Sequence, residues 1–234
     1  MNKIKVSIVV PNHGRDISAI RKVADSMEEV ELLEVDLGLE RSAQRNIGIC
    51  SANGDYIFIL DSDQVPTKPL IYECISMMER IPGLNGIFIP EIIRGDDWFT
   101  KLRNYERQFY TNTPIDCVRF VRKEKCPFFN EDMSGPEDAD WDLRIPPIKL
   151  QSKHPLYHDD RIPFLDYIKK KAYYTRSMRK FHEENPDAKV LKFAYRVFGV
   201  FMERGKWKQL VKHPIMAIQL YMLIFIRAII YLRK

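Results

Sequence analysis

The 234-residue chain predicts an α/β fold, a mostly parallel sheet flanked by helices with a helical extension behind it, and three observations predict it. Short apolar runs alternate with helix-length amphipathic stretches from the first residues onward, the order of βαβ units. The run at 56–60, Tyr-Ile-Phe-Ile-Leu, is continuous instead of alternating, as in a strand buried on both faces of a parallel sheet. The charge is divided: from Lys153 onward stand 18 of the 37 Lys and Arg and seven of the 32 acids, a net +11, which leaves −6 on the first 152 residues. Two such parts face different surroundings.

Each element follows from its residues. Residues 6–10 form the first strand, closed by Pro11 and the polar loop Asn12-His13-Gly14-Arg15. A helix over about 16–27 leads to a second strand at 30–35, which ends in Asp36-Leu37-Gly38. Residues 42–49 are a helix that delivers the chain to the central strand, 56–60. Pro66 and Pro69 punctuate the start of a helix that reaches about Arg80, and 86–89 is a fourth strand. Residues 96–110 repeat Phe99, Leu102, Tyr105 and Phe109 at helical spacing, and 117–121 is a further strand. The segment 148–157 mixes apolar and polar residues and receives no element.

The central run ends in Asp61-Ser62-Asp63. Two carboxylates leaving a buried strand lose hydration and are costly unpaired. Ligands in open α/β sheets bind outside the carboxyl ends of the strands, and a pair of hard oxygen donors suits Mg²⁺ or Mn²⁺ carrying a diphosphate. The competing reading has Asp61 and Asp63 capping a turn or the next helix. Further on, Gly135-Pro136-Glu137-Asp138-Ala139-Asp140-Trp141-Asp142 sets four acids within six residues. A helix starting near Pro136 explains one or two of them through its macrodipole. The others point to a carboxylate that acts as a general base.

Pro11-Asn12-His13 after the first strand, Gln44-Arg45-Asn46-Ile47-Gly48 ahead of the run from Asn53 to Asp63, and Gly135-Pro136-Glu137-Asp138 followed by Asp142-Leu143-Arg144 come in one order along the chain. Together they resemble the inverting family-two glycosyltransferases of the GT-A fold, over roughly residues 6–161. The resemblance implies a Rossmann-like GT-A catalytic domain over 1–162 and a nucleotide-diphosphate-sugar donor. Pro11, Asn12, His13 and Glu34 or Asp36 would hold base and ribose, with Arg45 nearby. Asp61 and Asp63, with Ser62 between them, would carry Mn²⁺ or Mg²⁺ on the diphosphate, Asp63 more directly. Asp138, flanked by Glu137, would deprotonate the acceptor hydroxyl, which attacks the anomeric carbon opposite the leaving nucleotide. The chain departs from the family pattern twice: the acidic segment after the second strand is shortened to Glu34-Val35-Asp36, and extra acids follow Glu137-Asp138, so the base stands between Asp138 and Asp140. His158, in His158-Asp159-Asp160-Arg161, resembles the late third metal ligand of many GT-A enzymes; the competing reading is a surface histidine in a charged loop. Arg161 and the run Lys169-Lys170-Lys171 offer phosphate contacts, although such a run is commonly a solvated helix face.

Residues 163–234 read as a basic amphipathic helical extension. Phe164, Ile168, Ala172, Thr175 and Met178 keep helical spacing up to Asn185-Pro186, and 190–204 forms a second amphipathic segment. Phe, Ile, Leu and Met interleave with Lys192, Arg196, Arg204, Lys206, Lys208 and Lys212, the pattern of a helix lying on a membrane. The competing reading is an α-hairpin packed on the catalytic part. Residues 215–232, about 27 Å as a helix, are just long enough to span a bilayer. Arg227 near mid-depth costs about 2.5–3.5 kcal/mol there, and both flanks are basic. A monotopic helix on the cytoplasmic, inner face of the cell membrane is therefore expected, with a single-span anchor as the alternative. Such a location suggests a lipid-linked acceptor.

Four cysteines without Cys-x-x-Cys or zinc spacing, and a start (Met1-Asn2-Lys3-Ile4-Lys5) with no long apolar stretch, suit a reducing cytoplasmic setting. A sugar-phosphate nucleotidyltransferase is the rival enzyme. It needs a Gly-rich loop with a basic residue after the first strand, and Asn12-His13-Gly14-Arg15 is a poor version of one. A basic module that binds nucleic acid or a membrane without catalysis is the other rival. Interleaving of the tail's charge with long apolar runs argues against nucleic acid as a partner.

Overall fold

β1 (Val6–Pro11) is buried along its whole length and pairs in parallel with β2 (Val30–Val35) on one side and β3 (Tyr56–Ile59) on the other. Val6, Ile8 and Val10 join Tyr56, Phe58 and Leu60 in one core, while Val9, Ile57 and Ile59 join another on the opposite face. Two cores are the reason the central run does not alternate. α1 (Ser18–Ala24) and α2 (Arg41–Ser51) connect these strands. α2 lies so close to β1 that a Cβ at Gly48 would come within 2.3 Å of a Val9 methyl. The computed structural model describes residues 3–38, 40–174 and 177–232; Met1 and Asn2, the helical position Thr175 and the basic flank Arg233-Lys234 lie outside them.

β4 (Gln64–Val65), α3 (Lys68–Arg80), β5 (Gly86–Phe88), β6 (Glu91–Ile93), α4 (Trp98–Tyr110), β7 (Phe120–Arg122), α5 (Glu137–Arg144), β8 (Lys149–Gln151) and β9 (Leu156–His158) follow in order. The main sheet runs β2-β1-β3-β7-β5-β8, with β7 antiparallel to both of its neighbours and the other pairs parallel. A second sheet, β4-β9-β6, starts a few residues past the end of β3. Its strands of two or three residues are too short to show a period in the sequence. The first helix is shorter than expected: its start is delayed by an Asp16–Ser18 turn, and Ser26 Oγ donates to the Val23 carbonyl at 2.6 Å at its end.

α6 (Phe164–Tyr174), α7 (Met178–Glu184), α8 (Val200–Met202), α9 (Trp207–Lys212) and α10 (Pro214–Leu232) make up the C-terminal part. The amphipathic segment expected at 190–204 is not one helix. It is a 3₁₀ turn at Lys189–Leu191, a π turn at Tyr195–Gly199, then α8, and the chain reverses where Arg204 and Gly205 both take positive φ. Phe99, Leu102, Tyr105 and Phe109 of α4 pack in one cluster with Tyr167, Val200, Phe201, Leu220, Leu223 and Ile224. The other side of α10 exposes Ile215, Ile218, Met222, Phe225 and Ile229, spaced three or four residues apart. By length and composition α10 is able to cross a membrane. Arg227, however, points into the protein, where it pairs with Glu106 and donates to the Tyr167 hydroxyl at 3.0 Å.

Candidate active site

Strand ends build the cleft. β1 delivers Asn12 and His13, β3 delivers Asp61 to Asp63, and β9, pairing with β4 so that His158 faces Gln64, brings His158 beside them. The backbone N–H of Asp159 donates to the Asp63 carbonyl at 2.7 Å and fixes that juncture. α2 adds Arg41 and Arg45 one turn apart, and the first turn of α5 adds Glu137 and Asp138.

Arg45 is fully buried and joins the two acidic motifs. Its Nη2 donates to Asp61 Oδ1 at 2.8 Å and its Nη1 to Asp138 Oδ1 at 2.6 Å, with the guanidinium 4.8 Å above the Phe129 ring. Arg41 donates to Glu137 Oε1 at 3.1 Å and stands 4.0 Å from Asp61. Burial works against the charge of Asp61, but Arg45 and Arg41 outweigh it and hold that carboxyl below the usual range. Glu137 goes the other way, pushed up by burial and by Asp138 beside it. The sequence does not single out Arg41. Two arginines four residues apart on one helix face are the signal that leads to it.

Asp63 accepts from Arg15 Nη1 at 2.9 Å, and its other oxygen lies 3.1 Å from His158 Nε2. His158 is buried, 7% exposed, which overturns the surface-histidine reading; the reason is its place on β9. Its Nδ1 stands 3.3 Å from Glu91 Oε2, and Glu91 is itself clamped by Arg107 at 2.6 Å and Arg119 at 2.5 Å. Burial opposes a charge on the ring, yet Asp63 and Glu91 together raise its pKa.

Arg15, Arg41, Asp61, Asp63 and His158 border a cavity of about 190 Å³ with Pro11, His13, Ser62 and Lys170. Among the described residues no three such donors already stand in a coordinating array. The donor chemistry nonetheless fits a divalent ion: two carboxylates and an imidazole edge share one cavity, and Glu91 behind the far nitrogen leaves Nε2 turned towards Asp63.

The remaining expected residues fall in different places. Asn12 is buried and ties its own loop, donating to Glu34 Oε1 at 2.7 Å and accepting from the Arg15 N–H at 2.9 Å. Glu34 is in turn held by Arg21 at 2.5 Å. Asp36 and Arg161 are exposed and do not border this cavity. Asp140 turns away from the cleft: Arg144 donates to it at 2.7 Å and Asn185 at 3.2 Å. Asp138 instead borders a second, polar cavity of about 310 Å³.

The comparisons with known proteins agree with this architecture. The Glycosyl transferase family 2 model matches residues 7–135. Among curated proteins none matches the chain. The mannosyltransferase PcManGT from Pyrobaculum calidifontis, solved with GDP-Man and Mn²⁺, is similar at 12% identity and TM-score 0.59, over 99% of this chain and 88% of that one. Residues 1–349 of S. aureus TarS, solved with UDP-GlcNAc, are similar at 14% identity and TM-score 0.52, over 89% and 79%. A longer TarS chain is similar at 14% identity and TM-score 0.50 over 89% of this chain, which spans 47% of its length. Such likenesses carry the fold alone, and the family match stops short of Glu137 and Asp138. It still covers more than half of the sequence, including Gln44 to Gly48 and Asp61 to Asp63, and the chain therefore belongs to glycosyl transferase family 2, with the GT-A fold.

Proposed function

We propose that the protein moves a sugar from a nucleotide-diphosphate sugar to a lipid-linked acceptor, with inversion, at a membrane surface. The observation that carries the reading is Arg45, whose one buried guanidinium lies between Asp61 and Asp138 at 2.8 and 2.6 Å. A donor-side carboxylate and an acceptor-side carboxylate thereby share one fixed cation.

The donor's base and ribose lie against Pro11, Asn12 and His13, with Glu34 behind them; Asp36 and Arg161 stay exposed outside the small cavity. Asp61, Asp63 and His158 hold a divalent ion, Mn²⁺ or Mg²⁺. When bound, that ion supplies the Lewis acid that offsets charge on the departing diphosphate. Asp138, positioned by the Arg45 guanidinium at 2.6 Å, takes the proton of the acceptor hydroxyl. The hydroxyl oxygen bonds to the anomeric carbon from the face opposite the carbon–phosphate oxygen bond that breaks, so configuration inverts. Glu137 orients Arg41, and Asp140 stabilises the helix that presents Asp138.

Membrane attachment is supported by the exposed stripe of α10. A spanning helix would take Arg227 away from buried Glu106 and strip α4 of its cover, so α10 lies on the surface. The free cysteines suit the cytoplasmic face.

A panel of nucleotide sugars, tested with vesicles and Mn²⁺ or Mg²⁺ and read by proton NMR of the anomeric product, tests this. Metal-dependent release of a nucleoside diphosphate with an inverted product is expected. Exchange of pyrophosphate into the nucleotide sugar would instead mean nucleotidyl transfer.

A further inference from the structure

The polar cavity that Asp138 borders adjoins a larger one, of about 600 Å³, and the two share Tyr110, Met178, Val190, Arg196, Arg227 and Tyr231. Nine of the fourteen residues lining the larger cavity are apolar or aromatic, among them Phe193, Val197, Ile224 and Ala228. Its volume is in the range of small-molecule sites, about 300–1,000 Å³. One end of the combined space is oily and the other is charged.

Six cations line the polar cavity, and four are committed. Arg103 pairs with Asp160, Arg107 and Arg119 with Glu91, and Arg227 with Glu106. Lys171 and Arg196 have no carboxylate at ion-pair distance among the described residues. Lys171 Nζ instead stands 5.3 Å from the Tyr167 ring centre and 5.8 Å from that of Tyr174. Burial pushes the Lys171 ammonium down to about 7, with Arg227 adding to the effect. An unpaired cation in such surroundings favours an anionic group.

We propose that the joined cavities are the acceptor site and take an amphiphile, its phosphate at Lys171 and Arg196, its hydrocarbon chain in the apolar cavity and its reacting hydroxyl at Asp138. This rests on the reading of Asp138 as the base. A hydroxyl nucleophile, separate from the phosphate, follows from that carboxylate: it repels a phosphate oxyanion and accepts a hydroxyl proton. In the transfer that proton goes to Asp138, the hydroxyl oxygen bonds to the anomeric carbon, and the nucleoside diphosphate departs with the electrons of the broken bond.

Titration calorimetry of the full chain in one nonionic detergent, with geranylgeranyl phosphate, geranylgeraniol and glycerol phosphate as probes, tests the site. Geranylgeranyl phosphate should bind at least about tenfold more tightly than either partial probe. Lys171→Met should weaken geranylgeranyl phosphate but not geranylgeraniol, while Ala228→Trp, which fills the apolar cavity, should weaken both chain-bearing probes. Binding of nucleoside diphosphate with Mn²⁺ to the same variants shows that they are folded. The proposal is overturned if all three probes bind alike, or if Phe225→Ser on the exposed stripe, and not Ala228→Trp, removes chain binding. Loss of nucleotide binding in the wild type with amphiphile binding intact would overturn the donor reading and leave this site standing.

Discussion

The cleft at the ends of β1 and β3 and the helical region built on α4 are both rich in cations and use them differently. In the cleft, Arg15 reaches a carboxylate of one acidic motif, and Arg41 and Arg45 reach carboxylates of both, Arg45 at the shorter distances. In the helical region Arg103 and Arg227 lock helices together through Asp160 and Glu106, while Lys171 is left to two aromatic rings. A network in which each charge has a partner holds acids at fixed separations, as chemistry requires. An apolar region with two cations free of carboxylates among the described residues, Lys171 and Arg196, holds a boundary and selects what enters it.

The contrast is sharpest at Asp138 and Asp140. Asp138→Asn should lower transfer by about 10²- to 10⁴-fold with nucleotide binding nearly unchanged. Asp140→Asn should lower the melting temperature more than turnover, since its partners Arg144 and Asn185 are structural. Loss of turnover in Asp140→Asn alone would move the base by two residues.

Next in size is the tie between the two regions. Arg227→Met leaves Glu106 buried without its cation and should cost about 3–5 kcal/mol in unfolding free energy. Adding Glu106→Gln should recover part of it. Additive losses in the double variant would break the claim that this pair locks α10 to α4.

Lys171→Met sets the helical region's function against its stability. Lys171 titrates near 7 when folded and at 10.5 by its ordinary value, so the unfolded chain binds the extra proton between those limits. Wild-type stability therefore falls as pH drops from about 10 to 7, and Lys171 takes nothing further from it below that. The variant should melt higher than the wild type, with a larger gain at pH 7 than at pH 10. An equal gain at both would mean that the ammonium keeps its hydration.

The smallest effects concern the stripe. Ile218→Ser and Phe225→Ser should each weaken liposome binding several-fold without changing the melting temperature, because both side chains are more than 60% exposed. Added salt should weaken wild-type binding without abolishing it.

Residues close in sequence were the legible ones. The strands at 6–10, 30–35 and 56–60 and the helix on 96–110 announced themselves by period and by Gly and Pro punctuation, and the family motifs sit on them. His158 is different: its burial comes from a three-residue strand pairing with a two-residue one, which no periodicity reveals. Arg45 was legible as part of a motif, but its position between Asp61 and Asp138 depends on its own helix, on the end of β3 16 residues away and on the start of α5 93 residues away in sequence. The segment 190–204 has helical spacing, yet its π turn and the reversal at Arg204 follow from packing against α4.

Calorimetric titration of a nucleoside diphosphate into wild type and Asp63→Ala, with Mn²⁺ and with EDTA, tests the central claim most directly. The wild type should bind with Mn²⁺ and lose most of that affinity in EDTA, whereas Asp63→Ala should bind weakly and alike in both. Equal wild-type affinity with and without the ion would contradict a metal-diphosphate site at Asp61, Asp63 and His158.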